Sequence, residues 1–205
     1  MDRLRSPGGC PWDAAQTHES LTRYLLEETY EVLEAIETGD PVLLREELGD
    51  LLLQVLFHAR IAQEDAADAA FGIDDVASDL VDKLIRRHPH VFADAAATSA
   101  AELDDVWERQ KAQEKGRGSA VDGVPLAQPA LALAAKLVSR AGRSGVVPPR
   151  AEPAADDDQA QIGQRLLRVV EDAVRTGVDP ETALRIAARG YRDGVLATEA
   201  QARNP

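Results

Sequence analysis

The stretch Thr17–Phe57, THESLTRYLLEETYEVLEAIETGDPVLLREELGDLLLQVLF, decides the fold. From about Thr17 to Thr38 its apolar residues recur at helical spacing, the pattern of an amphipathic helix. Gly39 follows as the residue that ends it, because glycine takes the left-handed conformation of a helix C-terminus without a steric penalty. Asp40 and Pro41 read as the N-cap and first position of a second helix, predicted over about Pro41 to Asp65. A link this short makes the two helices an antiparallel hairpin.

Further along the chain the same periodicity predicts a third helix from near Asp74 that ends before Pro89. Ser99 and Glu102 have capping-box spacing for a fourth, running to about Lys115. Residues 116–125 read as a loop and 128–142 as an Ala/Leu-rich fifth helix. Residues 144–158, proline-rich and then acidic, are the clearest linker. Two final helices are predicted over about 160–176 and 180–193. No strand pattern persists, so the fold class is all-α.

Composition agrees. Of 205 residues, 44% are hydrophobic and only 4% aromatic. Ala and Leu dominate the apolar set, and both favour helices over strands. The net charge of −13 makes nucleic acid and anionic membranes poor partners. A single cysteine, Cys10, excludes an internal disulfide or a cysteine metal cluster and fits a reducing, cytoplasmic compartment. The N-terminus lacks the apolar core of a signal peptide, and no run of residues is long and apolar enough to span a membrane. Cys10 is expected to be a small buried residue.

The chemistry lies in paired carboxylates. Glu28 and Glu31 share a face of the first helix, and Glu47 and Asp50 share a face of the second. These faces are the apolar ones. Glu28 follows Leu21 and Leu25 and precedes Val32 at helical spacing, while Glu47 and Asp50 lie among Leu43, Leu44, Leu51 and Phe57. Four inward carboxylates repel one another and lose hydration. Divalent cations relieve both effects, and Mg²⁺ characteristically takes a few carboxylates together with substrate phosphate oxygens. The bland alternative is a solvated acidic face in a chain with 36 acidic residues.

The motif resembles the signature of the MazG-type nucleoside triphosphate pyrophosphohydrolases. Gly9-Cys10-Pro11-Trp12-Asp13, Gln16-Thr17, Leu26-Glu27-Glu28-Thr29-Tyr30-Glu31, Glu46-Glu47-Leu48-Gly49-Asp50-Leu51-Leu52 and Arg86-Arg87-His88-Pro89-His90-Val91-Phe92 all resemble that family's N-terminal module, over roughly residues 4–145. The resemblance implies a helical-hairpin or four-helix-bundle core assembled as a homodimer or higher oligomer. It also implies Mg²⁺-dependent cleavage (Mn²⁺ able to substitute) of nucleoside triphosphates at the α,β linkage, giving NMP and pyrophosphate in nucleotide-pool house-cleaning. Residues 1–118 then read as the catalytic module, 119–145 as a connecting loop and helix, and 146–205 as a linker plus a degenerate, non-catalytic remnant of a second module. In that remnant Gln164 stands where Asp50 stands in the first, and no Glu-Glu-x-x-Glu helix precedes it. The stripe Leu166, Val169, Val170 and Val174 is expected to need a partner surface.

Glu28, Glu31, Glu47 and Asp50 are the expected metal ligands, and Glu27, beside them, is a candidate general base. Lys83, Arg86, Arg87 and His88 form a basic cluster. By position it suits a helix C-terminal dipole; by resemblance Lys83 and Arg87 contact phosphate and Trp107 stacks on the base. For Trp12, packing or a hydrophobic cover is preferred, and for His88 and His90 a packing role. The competing readings are a specialised dUTP, dCTP or phosphoribosyl-ATP pyrophosphohydrolase, and a catalytically silent nucleotide-binding helical module.

Overall fold

The computed structural model describes residues 1–66, 68–93, 99, 103, 106–107, 110, 114, 116, 118–149, 154 and 156–203, and every regular element among them is a helix. The chain forms two units, Met1–Leu103 and Asp104–Pro205. No helix among the described residues is long and apolar enough to cross a membrane.

The first unit holds α1 (Asp2–Arg5), α2 (Pro11–Ala14), α3 (His18–Thr38), α4 (Pro41–Ala62), α5 (Ile73–Arg87) and α6 (Pro89–Phe92). Thr17 caps α3 in a reciprocal box with Ser20, satisfying two backbone donors that a helix start leaves orphaned. Gly39, at φ 70°, ends it. The Asp40 carboxylate accepts from the amides of Val42 and Leu43 at 2.9 and 3.1 Å, and Pro41 starts α4. With a two-residue link the helices pack along their length. Leu21 of α3 and Phe57 and Ile61 of α4 form the buried centre, with Met1 and Tyr24 against it. Burying each such side chain contributes about 1.5–3 kcal/mol.

The N-terminal turns are tied to the far end of this hairpin by one buried cation. Arg5 is 8% exposed. Its guanidinium donates to the carbonyls of Asp13 and Gln16 and to both oxygens of Glu64, the last two at 3.1 and 2.9 Å. Those bonds hold the Glu64 carboxyl below its usual pKa, with Arg60 adding to the effect. The pull on Glu64 coincides with the end of α4 at Ala62, three residues before the predicted end. Gly9 allows the chain to fold back here, since a Cβ would lie 2.3 Å from the Leu4 carbonyl oxygen.

The second unit contains α7 (Ala130–Arg143), α8 (Asp158–Arg175) and α9 (Pro180–Arg203). Its interior centres on Val170, 1% exposed, while Arg140 is buried and donates to the Asp122 carbonyl at 2.9 Å. Of the stripe expected on α8, Leu166 and Val169 remain 50% and 63% exposed. The predicted fourth helix falls mostly on residues outside the description. Leu103, Val106, Trp107, Gln110 and Glu114 within it are helical.

Candidate active site

The antiparallel register of α3 and α4 decides which side chains meet. Leu21 packs with Phe57. Moving about two turns along both helices toward the link brings Glu28 opposite Glu47 and Asp50. One carboxylate oxygen from each of Glu28, Glu47 and Asp50 lies within 4.8 Å of the others. Glu47 is only 9% exposed. Glu31, one turn beyond Glu28, stands near enough to hydrogen-bond it and to raise its pKa by charge, and it acts on Glu47 as well. Two helices thus bring three of the four expected carboxylates into one cluster, with the fourth at its edge.

The electrostatics are those of a site lacking a counter-charge. Glu28 is pushed above its ordinary pKa first by desolvation, then by Asp50 and Glu31, and further by Glu47. Glu47 is pushed up by desolvation, then by Glu31, Asp50 and Glu46. Buried carboxylates behave in this way when their neighbours carry like charge. The donor set fits a hard divalent cation, because every group is a carboxylate oxygen and they converge at ligand spacing. No other cluster of three or more His, Cys, Asp or Glu among the described residues has that geometry.

The remaining expected residues occupy distinct positions. Glu27 is exposed beside Glu28. Helix α5 packs against α4 and carries Lys83 and Arg87 one turn apart, both half-buried, with Arg86 exposed. Arg86 and Arg87 fall in the last turn of α5, so dipole compensation and anion binding call for the same placement. Trp107 is half-buried in a helical position of the second unit. Trp12 is 50% exposed and covers the hairpin edge-on to Tyr24 and Phe57, at 5.8 and 6.4 Å between ring centres. Cys10 is half-buried rather than buried. His88 donates locally, its Nδ1 2.7 Å from the Leu84 carbonyl oxygen.

Sequence reasoning passed over His18, Gln54 and His58, which continue the polar seam between α3 and α4. Asp50, Gln54 and His58 follow at four-residue intervals, and that spacing was the available signal.

Comparison with known proteins points in one direction. The MazG nucleotide pyrophosphohydrolase domain matches residues 16–92. A 26.1 kDa Streptomyces cacaoi protein from the blaB 3′ region is 54% identical over 97% of this chain and 79% of its own length. The Thermotoga maritima nucleoside triphosphate pyrophosphohydrolase/pyrophosphatase MazG is 42% identical over 93% of this chain and 79% of its own. The Mycobacterium tuberculosis nucleoside triphosphate pyrophosphohydrolase is 47% identical over 97% of this chain. The chain spans 56% of that relative's length.

Proposed function

Because this chain belongs to the MazG nucleotide pyrophosphohydrolase family, we propose that it hydrolyses nucleoside triphosphates to NMP and pyrophosphate with Mg²⁺, as a house-cleaning enzyme of the nucleotide pool. The observation that carries this reading is the convergence of Glu28, Glu47 and Asp50 from two helices, with Glu31 beside them.

In this reading Glu28, Glu31, Glu47 and Asp50 hold Mg²⁺, with Mn²⁺ able to replace it. The cation, when bound, supplies charge neutralisation and polarisation of the phosphoryl oxygens. The chain's own groups do the rest. Lys83 and Arg87 take the oxygens of the departing pyrophosphate, where negative charge builds up. Glu27, exposed and adjacent to the ligands, accepts a proton from the attacking water. Trp107 stacks on the base, a contact that tolerates different bases because each presents a flat face. Residues 1–118 carry the catalytic module in this scheme, and the helices beyond 146 carry no second site.

Assembly as a homodimer completes it. On α3, Leu26 and Ile36 are both 57% exposed, and on α4 Leu48 and Leu52 are 49% and 55% exposed. A helix apolar on every side is buried on every side. Light scattering of the full chain at micromolar concentration should give twice the chain mass or a multiple of it, and Leu52→Glu should shift it toward the monomer.

Incubation with each triphosphate in H₂¹⁸O, with products resolved by chromatography and mass spectrometry, tests the activity. One NMP and one pyrophosphate per turnover is the expected result. Orthophosphate and NDP would overturn the reading.

A further inference from the structure

Beyond the carboxylates, the seam between α3 and α4 holds a second polar group. His18, the first residue of α3, and His58, near the end of α4, face each other with Nδ1 atoms 2.7 Å apart. Their ring planes are 2° from parallel and their ring centres 5.0 Å apart. That separation is the nitrogen–nitrogen distance plus the centre-to-nitrogen radii of two imidazoles. Both nitrogens therefore lie on the line joining the ring centres. The rings sit edge to edge in one plane, not face to face, and a straight N–H···N hydrogen bond joins them.

Such a bond needs one ring protonated at Nδ1 and the other bare there. His58 Nε2 is enclosed and has no hydrogen-bond partner, and one turn back on α4 the amide oxygen of Gln54 is in the same state. Gln54 itself is 5% exposed. If His58 carried its proton on Nε2, an enclosed N–H would lack an acceptor while an enclosed acceptor one turn away lacked a donor. The unpaired state of both fits a bare Nε2. With Nε2 bare, the shared proton sits on His58 Nδ1, and His18 accepts at Nδ1 and carries its own proton on Nε2.

The proton count then sets the response to acid. The neutral pair has two ring protons on four nitrogens. A third proton leaves the bridge intact only if both Nε2 atoms are protonated, which puts charge on the enclosed side of His58. Otherwise His18 leaves the bridge and takes the proton in solvent.

We propose that His18 and His58 form an acid-released latch: one shared proton ties the first turn of α3 to the last turns of α4, and uptake of a further proton opens it. The pKa of His58 is lowered, first by its enclosure and then by His18. Other charges near the pair are already engaged or turned outward. On α3, Glu19 lies beside His18 and is exposed. Arg60 of α4, two residues past His58, bonds Asp2 of α1 and Glu64, and Arg5 of α1 also bonds Glu64. Asp13 of α2 is half-buried, and α5, which packs against α4, carries Asp74, Asp75, Asp79, Asp82 and Arg86 exposed and Lys83 and Arg87 half-buried. None of these is a cause of the His58 shift. A metal site is the less favoured reading, since no third His, Cys, Asp or Glu atom joins the pair among the described residues.

A His whose folded pKa lies below its unfolded value binds fewer protons when folded. The latch's contribution is therefore present above roughly pH 6.5 and is lost as pH falls below it. His58 lies two turns of α4 beyond Asp50, so the device acts on how firmly the hairpin is closed and touches no ligand.

The experiment uses the full chain without divalent ions or nucleotide, so its outcome is independent of the proposed activity. Long-range ¹H–¹⁵N NMR, assigned with His18→Gln and His58→Gln, should show His58 as a single Nδ1–H tautomer at pH 7.5. A downfield bridge proton should persist until it vanishes on acidification. The melting-temperature gap between wild type and the His18→Phe/His58→Phe double variant should shrink between pH 7.5 and 5.5. A His58 that is mostly Nε2–H, two rings titrating independently near the usual imidazole value, or a gap unchanged by pH would overturn the proposal. So would stoichiometric Zn²⁺ that shifts both Nδ1 signals. If the double variant does not fold, the wild-type tautomer and titration decide.

Discussion

The hairpin α3–α4 and the later pair α8–α9 are joined by the same chemistry. In the first link, Gly39 takes φ 70° and Asp40 caps α4 ahead of Pro41. In the second, Gly177 takes φ 73°, and Asp179 accepts from the Glu181 amide at 3.2 Å and the Thr182 hydroxyl at 2.7 Å, ahead of Pro180. The interiors differ. The first pair encloses Glu47 and gathers Glu28 and Asp50 around it, whereas α8 turns Val170 inward, 1% exposed. Ile162-Gly163-Gln164 on α8 resembles Leu48-Gly49-Asp50 on α4, with a neutral amide where the carboxylate stands. Link chemistry therefore fixes the hairpin, while charge on the seam is an independent property that opposes folding. A chain carries such charge for a purpose other than stability.

The largest expected effect comes from removing that charge. Glu28→Ala, Glu47→Ala and Asp50→Ala should each lower kcat/KM by more than about 10²-fold, since loss of even an outer-shell partner of a metal costs 10–100-fold. Glu31→Ala should do the same if it ligates from the cluster's edge. In Asp50→Ala the residual turnover measures what α8–α9 can do alone. Metal-dependent turnover comparable to wild type would mean that Gln164 does not disable the second pair, and the contrast between the pairs would collapse.

Next in size is the coupling of pH to metal. Glu28 and Glu47 have raised pKa values in the metal-free fold, so the folded state binds more protons than the unfolded one. Their contribution to stability is present below about pH 4.3 and is lost as pH rises through the raised values. A bound cation needs the ionised forms and reverses this. The gain in melting temperature from Mg²⁺ should therefore be larger at pH 8 than at pH 5. At a Mg²⁺ concentration 100 times its dissociation constant it corresponds to about 2.7 kcal/mol. In Glu28→Gln/Glu47→Gln the pH dependence of the gain should flatten. An equal gain at both pH values would separate the carboxylates from the metal.

What was legible in the sequence had a short period. Thr17, Gly39, Asp40 and Pro41 bound α3 and α4 because each has one strong local role, and the carboxylates were visible because pairs three apart share a face. Four-residue helices such as α1 and α2 have no periodicity to read. Pro89 both stops α5 and starts α6, as proline suits a first helical turn. Helix α9 continues ten residues past the predicted end at 193, through Gly194 to Arg203, because the run Leu196–Arg203 is rich in strong helix formers. The His18–His58 contact spans 40 residues and depends on which helices meet, so the four-residue spacing on α4 marked the seam without naming His18 as the partner.

The smallest expected effect on turnover comes from the second pair's own interior. A chain cut near Gly145 is a poor test of the tail, because α8 packs against α7 and the cut strands α7, which lies within the same unit, Asp104–Pro205. Val170→Ala is cleaner. It removes two methyl groups from a side chain that is 1% exposed and should destabilise the second unit by about 1–3 kcal/mol, read as the first transition of a two-step melt. If the tail only packs, kcat per folded chain at low temperature should stay within about twofold of wild type, since the carboxylates lie on α3 and α4. Trp107, the proposed base platform, gives a separate readout. Trp107→Ala should raise KM with little change in kcat, by a factor matching the 1–3 kcal/mol that a stacked base contributes. A kcat of Val170→Ala that falls tenfold while the unit is still folded would mean that the second pair takes part in the chemistry.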